Sequence, residues 1–284
     1  MPAMPAVPGS AELGVAELTD RLRRLGLSPR TGTLLVHAAL RTLGPVQGGS
    51  AGVLDALRAA LGPDGTLLAF TATPENSDTS RLDAAATAGL DRADLQAYRR
   101  SMPPFDPATT PASPTMGRLS EELRNTPGAL RSTHPQTSFA ALGPKAAALT
   151  ADHRLDCHLG EESPLGRLYR ERGWVLMLGA SPERCTALQL AEYRVPDGPV
   201  KRYGCMVRGP GGHPRWERFD GLDLDDQYFR QMLPEILPGL FRLPGPVAAR
   251  TARIRGADCL LLPVVQAVDA ALGWHQRRPA GALR

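Results

Sequence analysis

The sequence predicts an α/β protein with a mixed or largely parallel central sheet flanked by helices. An apolar run over residues 33–37 is followed by Gly-Gly-Ser at 48–50, a helical pattern over 51–61 and a second apolar run over 66–71. Strand, helix and strand in this order form a βαβ unit, which favours parallel pairing. A third apolar run, at 174–179, is typical of a strand buried on both faces of such a sheet.

The other elements follow from hydrophobic spacing and from glycine and proline breaks. Leu13, Leu18, Leu22 and Leu25 recur at helical spacing and predict a first helix that Gly26 ends. Further helices are predicted over residues 90–100, 118–124, 144–151, 186–192, 227–237 and 264–272, with a short one ending at 172. Further strands are predicted over residues 138–142, 201–207, 214–219 and 254–262.

Length and composition favour one large domain with a long insertion. The chain has 284 residues, of which 42% are hydrophobic, enough to bury a sizeable core. Residues 1–10 are predicted to be a disordered tail, 11–273 a single domain and 274–284 a C-terminal tail. Residues 74–116 are rich in Asp, Ser, Thr and Pro and predict an irregular insertion, and long excursions of this kind often form lids or substrate walls.

Composition argues against several classes of partner. The 33 basic and 29 acidic residues give a formal net charge of +4, and the arginines are scattered. A duplex-binding protein needs a concentrated basic stripe, so we expect no nucleic-acid partner. No apolar stretch is long enough for a membrane span. The four cysteines lack CxxC spacing and no export signal is recognisable, which favours reduced thiols in the cytoplasm. The six histidines lack metal-binding spacing, so no metal site is predicted.

Two segments are suited to binding an anion. In a βαβ unit the loop after the first strand lies beside the N-terminus of the following helix, where free N–H groups favour phosphate. The Gly-Gly-Ser sequence at 48–50 marks such an N-terminus. The polar turn at 131–135, Arg-Ser-Thr-His-Pro, offers further donors, because a guanidinium pairs well with phosphate.

Six blocks follow one another between residues 131 and 194: RSTHP, SFAALGP, LTADH, LGEESPLGRLY, VLMLGA and TALQLAEYR. Together with LVHAALRTLG at 35–44, they resemble the aminoglycoside 3-N-acetyltransferase family, which moves acetyl from acetyl-CoA to an amine of an antibiotic sugar. The resemblance implies the antibiotic N-acetyltransferase fold and acetyl-CoA or another acyl-CoA as co-substrate. It also implies a cationic amino-sugar as acceptor and a monomer or homodimer.

The resemblance also implies where the ligands bind. The residues that it assigns to CoA are His37, Ala38, Ala39, Leu40, Arg131, Ser132, Thr133, His134 and Ser138. The residues that it assigns to the acceptor, on the side of the insertion, are Phe105, Asp106, Glu183 and Glu192.

Catalysis of N-acetylation requires a group that accepts the proton of the amine. In the family this group is a histidine in a TALH or TSLH motif, preceded by a carboxylate six residues earlier. Here Gln189 occupies the histidine position, Glu183 the upstream carboxylate position, and Asp226 matches a downstream aspartate. A neutral amide cannot accept a proton at neutral pH, so the usual base is missing.

Three hypotheses are compatible with this departure. The chain acetylates an amine with Glu183, His134 or His158 as the base. Alternatively, it performs another acyl transfer in a biosynthetic pathway, in which Cys185 is a candidate nucleophile, although a buried inert thiol is the simpler interpretation. In the third hypothesis it sequesters a CoA ester or an antibiotic with little turnover.

A cationic acceptor would be held best by carboxylates, although runs of acidic residues are usually solvated surfaces. The candidates for an acidic wall are Glu161, Glu162, Glu183, Glu192, Asp223, Asp225 and Asp226.

Overall fold

A central seven-stranded sheet and a two-stranded ribbon organise the part of the chain that the structure describes. The computed structural model describes residues 12–224 and 227–278, so the predicted tail at 1–10 lies outside it. The strands are β1 (Thr33–Ala38), β2 (Thr66–Phe70), β3 (Leu130–Arg131), β4 (Phe139–Leu142), β5 (Trp174–Leu178), β6 (Val200–Arg208), β7 (Pro214–Leu222), β8 (Arg250–Ile254) and β9 (Ala257–Pro263). β6 and β7 form the ribbon, and the others form the sheet.

The sheet is mixed, with a parallel centre. Its strand order is β3-β4-β2-β1-β5-β9-β8. β1 pairs in parallel with β2 and β5, and the outer pairings are antiparallel. The three central strands are the three apolar runs that the sequence indicates. Because β1 and β5 run in the same direction, their carboxyl ends meet at one edge, where open α/β sheets bind ligands.

Helices cover both faces of this sheet. They are α1 (Val15–Leu25), α2 (Leu40–Leu43), α3 (Gly49–Leu61), α4 (Arg81–Thr87), α5 (Arg92–Ser101), α6 (Arg118–Asn125), α7 (Ala146–Thr150), α8 (Pro164–Arg170), α9 (Phe229–Phe241) and α10 (Val264–Gln276). Leu34 and Leu35 are neighbours on β1, yet they join different apolar clusters, since successive strand residues point to opposite faces. α1 and α3 contribute to one cluster, and α9 and α10 to the other. No helix within the described ranges has the length and apolar character of a membrane span.

The insertion is fixed to the ribbon at its start and to the sheet at its end. The side chain of Asn76 bonds the N–H and the C=O of Met206, at 2.7 and 2.8 Å, as a neighbouring strand would. The N–H of Ser113 donates to the C=O of Ala72 just beyond β2, at 2.9 Å. The insertion contains two helices, α4 and α5, where the sequence predicts one. The last turn of the insertion, Pro114–Met116, is thereby held beside the carboxyl end of β2.

Two boundaries predicted near the C-terminus are wrong. Residues 254–262, predicted as one strand, include a hairpin turn between β8 and β9. Arg255 adopts a left-handed φ of 54° there, and Gly256 follows it. Residues 274–276, predicted to belong to a C-terminal tail, are instead part of α10, which extends to Gln276, and Trp274 is 0% exposed. Burial of an indole of this size stabilises the last turn of α10 against the core.

Candidate active site

Two adjoining cavities, the two halves of one cleft, open at the carboxyl ends of β1 and β5. One half has a cavity volume of about 930 Å³ and the other about 760 Å³. The residues that line both halves are Ala38, Ala39, Thr115 and Met116. The two halves therefore meet between the end of β1 and the last turn of the insertion.

The larger half, which we name the basic half, is lined by Arg41, Arg118 and the first turn of α3. Both guanidinium groups are exposed and form no ion pair within the described ranges. Gly48 precedes α3 with a φ of 75° and leaves the first N–H groups of this 13-residue helix without a side-chain cap. Glu12 is the sole acidic residue among the described lining residues. Free N–H groups beside two cations favour an anion such as a phosphate.

The smaller half, which we name the His37 half, is lined by His37, Glu183, Thr186 and Gln189. His37 stands near the end of β1, and its Nε2 lies 3.2 Å from Thr186 Oγ1. Burial lowers the pKa of His37 to about 4, so the imidazole is neutral at neutral pH. The apolar part of the wall includes Phe70, Leu159, Leu224 and Phe229.

The cleft contains part of the set predicted to contact CoA. His37 lines the smaller half, Ala38 and Ala39 line both, and Leu40 lines the basic half. The loop after β1 thus lies where the sequence places it, beside the N-terminus of α3.

Glu183 and Gln189, two of the three predicted catalytic residues, lie in the same half of the cleft. Glu183 belongs to a 3₁₀ turn, Pro182–Arg184, and its carboxylate accepts a hydrogen bond from Arg230 Nε at 3.2 Å. Gln189 lies in a 3₁₀ segment, Thr186–Arg194, where the sequence predicts an α-helix. The six-residue spacing therefore brings both side chains to one wall.

The predicted acidic wall is much reduced among the described residues. Glu183 lines the cleft, and the other described candidates do not. Glu192, predicted to bind the acceptor, instead accepts a hydrogen bond from the Tyr228 hydroxyl at 2.8 Å. Asp225 and Asp226 lie outside the described residues.

Arg131, predicted to bind a CoA phosphate, serves as an internal clamp. Its Nη2 donates to the C=O of Thr71 at 2.6 Å, its Nε donates to Ser138 Oγ at 2.9 Å, and its Nη1 donates to the C=O of Thr110. The guanidinium also stacks 4.9 Å from the ring centre of Phe105. Burial lowers the pKa of Arg131 to about 10. Neither Arg131 nor Ser138 lines the cleft, because β3 and β4 turn these side chains inward.

Ser132 and His134 of the predicted anion-binding turn also face the interior. Ser132 is 0% exposed, and its Oγ lies 2.9 Å from His153 Nδ1. His134 is 0% exposed, and its Nδ1 accepts from the N–H of Gln136 at 3.1 Å. Thr133 is exposed, but it lies outside the cleft lining. These side chains are therefore used in packing, and the predicted CoA contacts of the turn are not supported by the geometry.

A cluster of three buried histidines explains this inward arrangement. The ring of His134 lies 4.8 Å from that of His153 and 4.6 Å from that of His158. His158 Nε2 is 2.9 Å from Gln136 Oε1. Burial lowers the pKa of His153 to about 4 and that of His158 to about 3, and it lowers the pKa of His134 as well. None of the three lines the cleft, so His134 and His158 are poorly placed to serve as the missing base.

Cys185, the candidate nucleophile of another acyl transfer, is sealed in the core. It is 0% exposed, and burial raises the pKa of its thiol to about 12. Because the thiolate is the reactive form, the inert interpretation of this cysteine is the one that the geometry supports.

The insertion contributes to the cleft at a different place from the one predicted. Phe105 is buried, and its N–H donates to the C=O of Met206 at 3.2 Å. Asp106 accepts from the N–H of Ala108 at 2.8 Å and pairs with Arg208 at 3.0 Å. Neither residue lines the cleft, because both fasten the insertion to the ribbon.

Sequence reasoning did not identify Met116, Arg118 or Thr186 as cleft residues. Arg118 begins α6 directly after the turn that closes the insertion, and the cleft position of this helix start depends on tertiary packing. Thr186 has a recognisable signal, since it begins the TALQ block and stands three residues before Gln189.

The chain is similar to known proteins in both sequence and fold. The family model for aminoglycoside 3-N-acetyltransferase matches residues 35–276. Aminoglycoside N(3)-acetyltransferase III of Serratia marcescens is 40% identical over 211 residues, which cover 74% of this chain and 76% of the relative. The solved structure of AAC-IIIb with CoASH superposes with a TM-score of 0.79 at 32% identity, covering 94% of this chain and 98% of that one. AAC-VIa bound to sisomicin superposes with a TM-score of 0.78 at 28% identity, covering 95% and 100%.

Proposed function

The chain belongs to the aminoglycoside 3-N-acetyltransferase family, and from this premise we propose that its cleft transfers the acetyl group of acetyl-CoA to an amine of an aminoglycoside. One observation carries the proposal: the two halves of the cleft adjoin at four shared lining residues and carry different chemistry. Arg41 and Arg118 lie in one half, and Glu183 lies with His37 in the other. An anionic acyl donor and a cationic acceptor can thus approach each other from opposite ends.

The basic half fits the phosphates of acetyl-CoA, which supplies an acetyl group activated as a thioester. Arg41 and Arg118 are free to pair with phosphate oxygens, and the first turn of α3 offers backbone N–H groups. Leu40 and Val53 provide an apolar wall for the chain between the phosphates and the thiol. A cavity of about 930 Å³ is of the size that cofactor-sized ligands require.

The His37 half fits the amine. Glu183 carries the negative charge that attracts a protonated amino-sugar, and its partner Arg230 has a side chain that is 79% exposed. An exposed ion pair of this kind contributes little, so an acceptor ammonium can replace Arg230 at small cost. Phe70 and Phe229 exclude water from the same space. Sisomicin, the ligand of the AAC-VIa structure, is therefore a rational first acceptor.

Sequestration of a ligand is the second candidate function. The observation that favours it is Gln189, which stands at the position of the family histidine and lines the cleft with an amide that accepts no proton. Under this alternative the chain binds acetyl-CoA and sisomicin but releases no thiol.

A thiol-release assay with acetyl-CoA and sisomicin, run beside calorimetric titration of each compound, tests both functions. We expect thiol release that depends on sisomicin, and none with acetyl-CoA alone. Binding of both compounds without release would support sequestration. Failure of either compound to bind would contradict the proposed function.

A further inference from the structure

We propose that His37 is the catalytic residue that accepts the proton of the attacking amine, taking over the task of the histidine that Gln189 replaces. This inference rests on the proposed function and assigns its proton transfer to one side chain. It differs from the sequence prediction, in which His37 contacts CoA.

His37 lies next to the residues at which the two halves of the cleft meet. The next two residues along the chain, Ala38 and Ala39, line both halves of the cleft. His37 itself lines the smaller half at the end of β1. The imidazole therefore stands on the amine side of the junction at which an acyl donor from the basic half and an amine must meet. A proton acceptor has to be within hydrogen-bond reach of the reacting nitrogen, and a side chain beside this junction is placed for that contact when an amine occupies the His37 half.

The other five histidines of the chain do not line the cleft. All six histidines of the chain lie within the described ranges, and His37 is the one that lines the cleft. His134, His153 and His158 are enclosed in their own buried cluster. His213 is exposed in the turn of the ribbon, whereas the ring of His275 packs 4.8 Å from that of Tyr228.

Thr186 can fix the tautomer of His37, that is, which of the two ring nitrogens carries the proton. The Nε2–Oγ1 distance of 3.2 Å allows Nε2–H to donate to the hydroxyl. Nδ1 of His37 makes no hydrogen bond with any described residue, and it is not among the buried polar atoms that lack a partner. With Nε2–H as the donor, Nδ1 is the unprotonated atom and the one that is left to meet the amine. Thr186 is thus a positioning residue that acts through His37.

The acceptor first releases one proton to solvent, because the attacking amine must be in its neutral form. As the amine nitrogen bonds to the carbonyl carbon, His37 Nδ1 takes the second proton that the nitrogen loses. The C–S bond breaks, the sulfur keeps the electron pair, and the resulting thiolate takes the proton from the imidazolium. The products are the acetamide and the free thiol, and His37 returns to its neutral form. The low pKa of His37 agrees with this relay, since its imidazolium gives up a proton readily to a thiolate.

The charged groups that face His37 from the described walls are Glu183 and Arg184. They carry opposite charges and come from the same 3₁₀ turn. Substitution of His37 should therefore leave Glu183 able to attract the acceptor. The loss of activity in a His37 variant should then appear as a lower kcat.

His37→Gln is the first test, with His213→Gln as the matched control on an exposed histidine. We expect kcat for sisomicin acetylation to fall by about 10²- to 10⁴-fold in His37→Gln, with KM for acetyl-CoA unchanged. Added imidazole should restore part of the rate in His37→Ala. His213→Gln should behave like the parent. An unchanged kcat, or a loss confined to the KM for acetyl-CoA, would overturn the assignment.

Nitrogen-15 NMR of the histidine rings separates failure of this inference from failure of the proposed function. Loss of a signal in His37→Gln assigns His37 without any acceptor or turnover. We expect a neutral Nε2–H tautomer at neutral pH. If the parent protein shows no turnover, the proposed function fails, and the tautomer of His37 then tests its assignment as the proton acceptor. An Nδ1–H ring would overturn this assignment. An Nε2–H ring would support it for whichever amine the cleft accepts.

Discussion

The imidazole of His37 and the hydroxyl of Thr186 lie 3.2 Å apart across the carboxyl ends of two parallel strands. His37 is carried by β1, and Thr186 begins the 3₁₀ segment that follows β5. The pair exists because β1 and β5 are neighbours in register, with His37 opposite Met177. The topology of the sheet thus places a titratable ring and its partner at the junction of the cleft.

Removal of the Thr186 hydroxyl should impair turnover without emptying the cleft. We expect Thr186→Val to lower kcat by about tenfold, because the tautomer of His37 is no longer fixed, whereas Thr186→Ser should retain most of the rate. Steady-state kinetics with varied acetyl-CoA and sisomicin would separate kcat from KM. Equal losses in the Val and Ser variants would argue against a role for the hydroxyl.

Restoration of the family histidine should compensate for loss of His37. Gln189→His adds a second imidazole to the same half of the cleft. We expect it to raise acetylation in the parent and to make His37→Gln less damaging, so that the two effects are not additive. A double-mutant cycle on kcat measures this coupling. Strictly additive effects would indicate that the two positions serve different steps.

Neutralising the basic half should weaken binding of acetyl-CoA selectively. Arg41→Gln and Arg118→Gln should each raise the KM for acetyl-CoA by roughly tenfold at low salt, because a charge-assisted bond to phosphate is lost. The effect should shrink as ionic strength rises, and kcat should change little. Arg100→Gln, on an exposed residue outside the cleft, is the control. A KM that is unchanged in both cleft variants would place CoA elsewhere.

Arg131 should matter for stability and not for CoA. Arg131→Met leaves the carbonyl group of Thr110 without its donor and removes one of the two donors to that of Thr71, the other being Ser138 Oγ. This change should lower the free energy of unfolding by about 2–4 kcal/mol. Denaturant titration measures the loss. At a temperature where the variant is folded, its KM for acetyl-CoA should equal that of the parent. A normal stability with a raised KM would restore the phosphate-binding role predicted from the sequence.

The buried histidine cluster should make the protein sensitive to acid. Folding lowers the pKa of His153 from 6.5 to about 4 and that of His158 from 6.5 to about 3. Between these limits the unfolded chain binds more protons than the folded one, so stability is retained above pH 6.5 and falls as the pH drops below it. The loss should reach roughly 3–5 kcal/mol for each ring once the pH has fallen through both pKa values, because one pKa unit corresponds to about 1.4 kcal/mol. Denaturant titration at a series of pH values measures this loss. A free energy of unfolding that does not change from neutral to acid pH would contradict the lowered pKa values of these two histidines.

The sequence predicted the family, the fold class and the acyltransferase class correctly, because these depend on ordered blocks and continuous apolar strands. It also placed Glu183 and Gln189 together, since both belong to one local segment. The loop after β1 was located for the same reason, because a βαβ unit fixes it beside the next helix. Local pattern was sufficient in each of these cases.

Predictions that depended on the direction of a side chain were less accurate. Arg131 is a suitable phosphate ligand by chemistry, but β3 is an edge strand that turns it toward Thr71 and Phe105. His134 is a suitable base by chemistry, but it packs against two further histidines that are distant in sequence. Neither contact has a signal in the local sequence. Conversely, Arg118 reaches the cleft because the insertion ends beside β1.

The cleft should acetylate an aminoglycoside in spite of Gln189. Mass spectrometry of sisomicin after incubation with acetyl-CoA and the purified chain measures this activity, with heat-inactivated protein as the control. We expect sisomicin with one added acetyl group in the parent and very little of it in His37→Gln. Unmodified sisomicin, in a preparation that binds both compounds by calorimetry, would show that the cleft is not an acetyltransferase site.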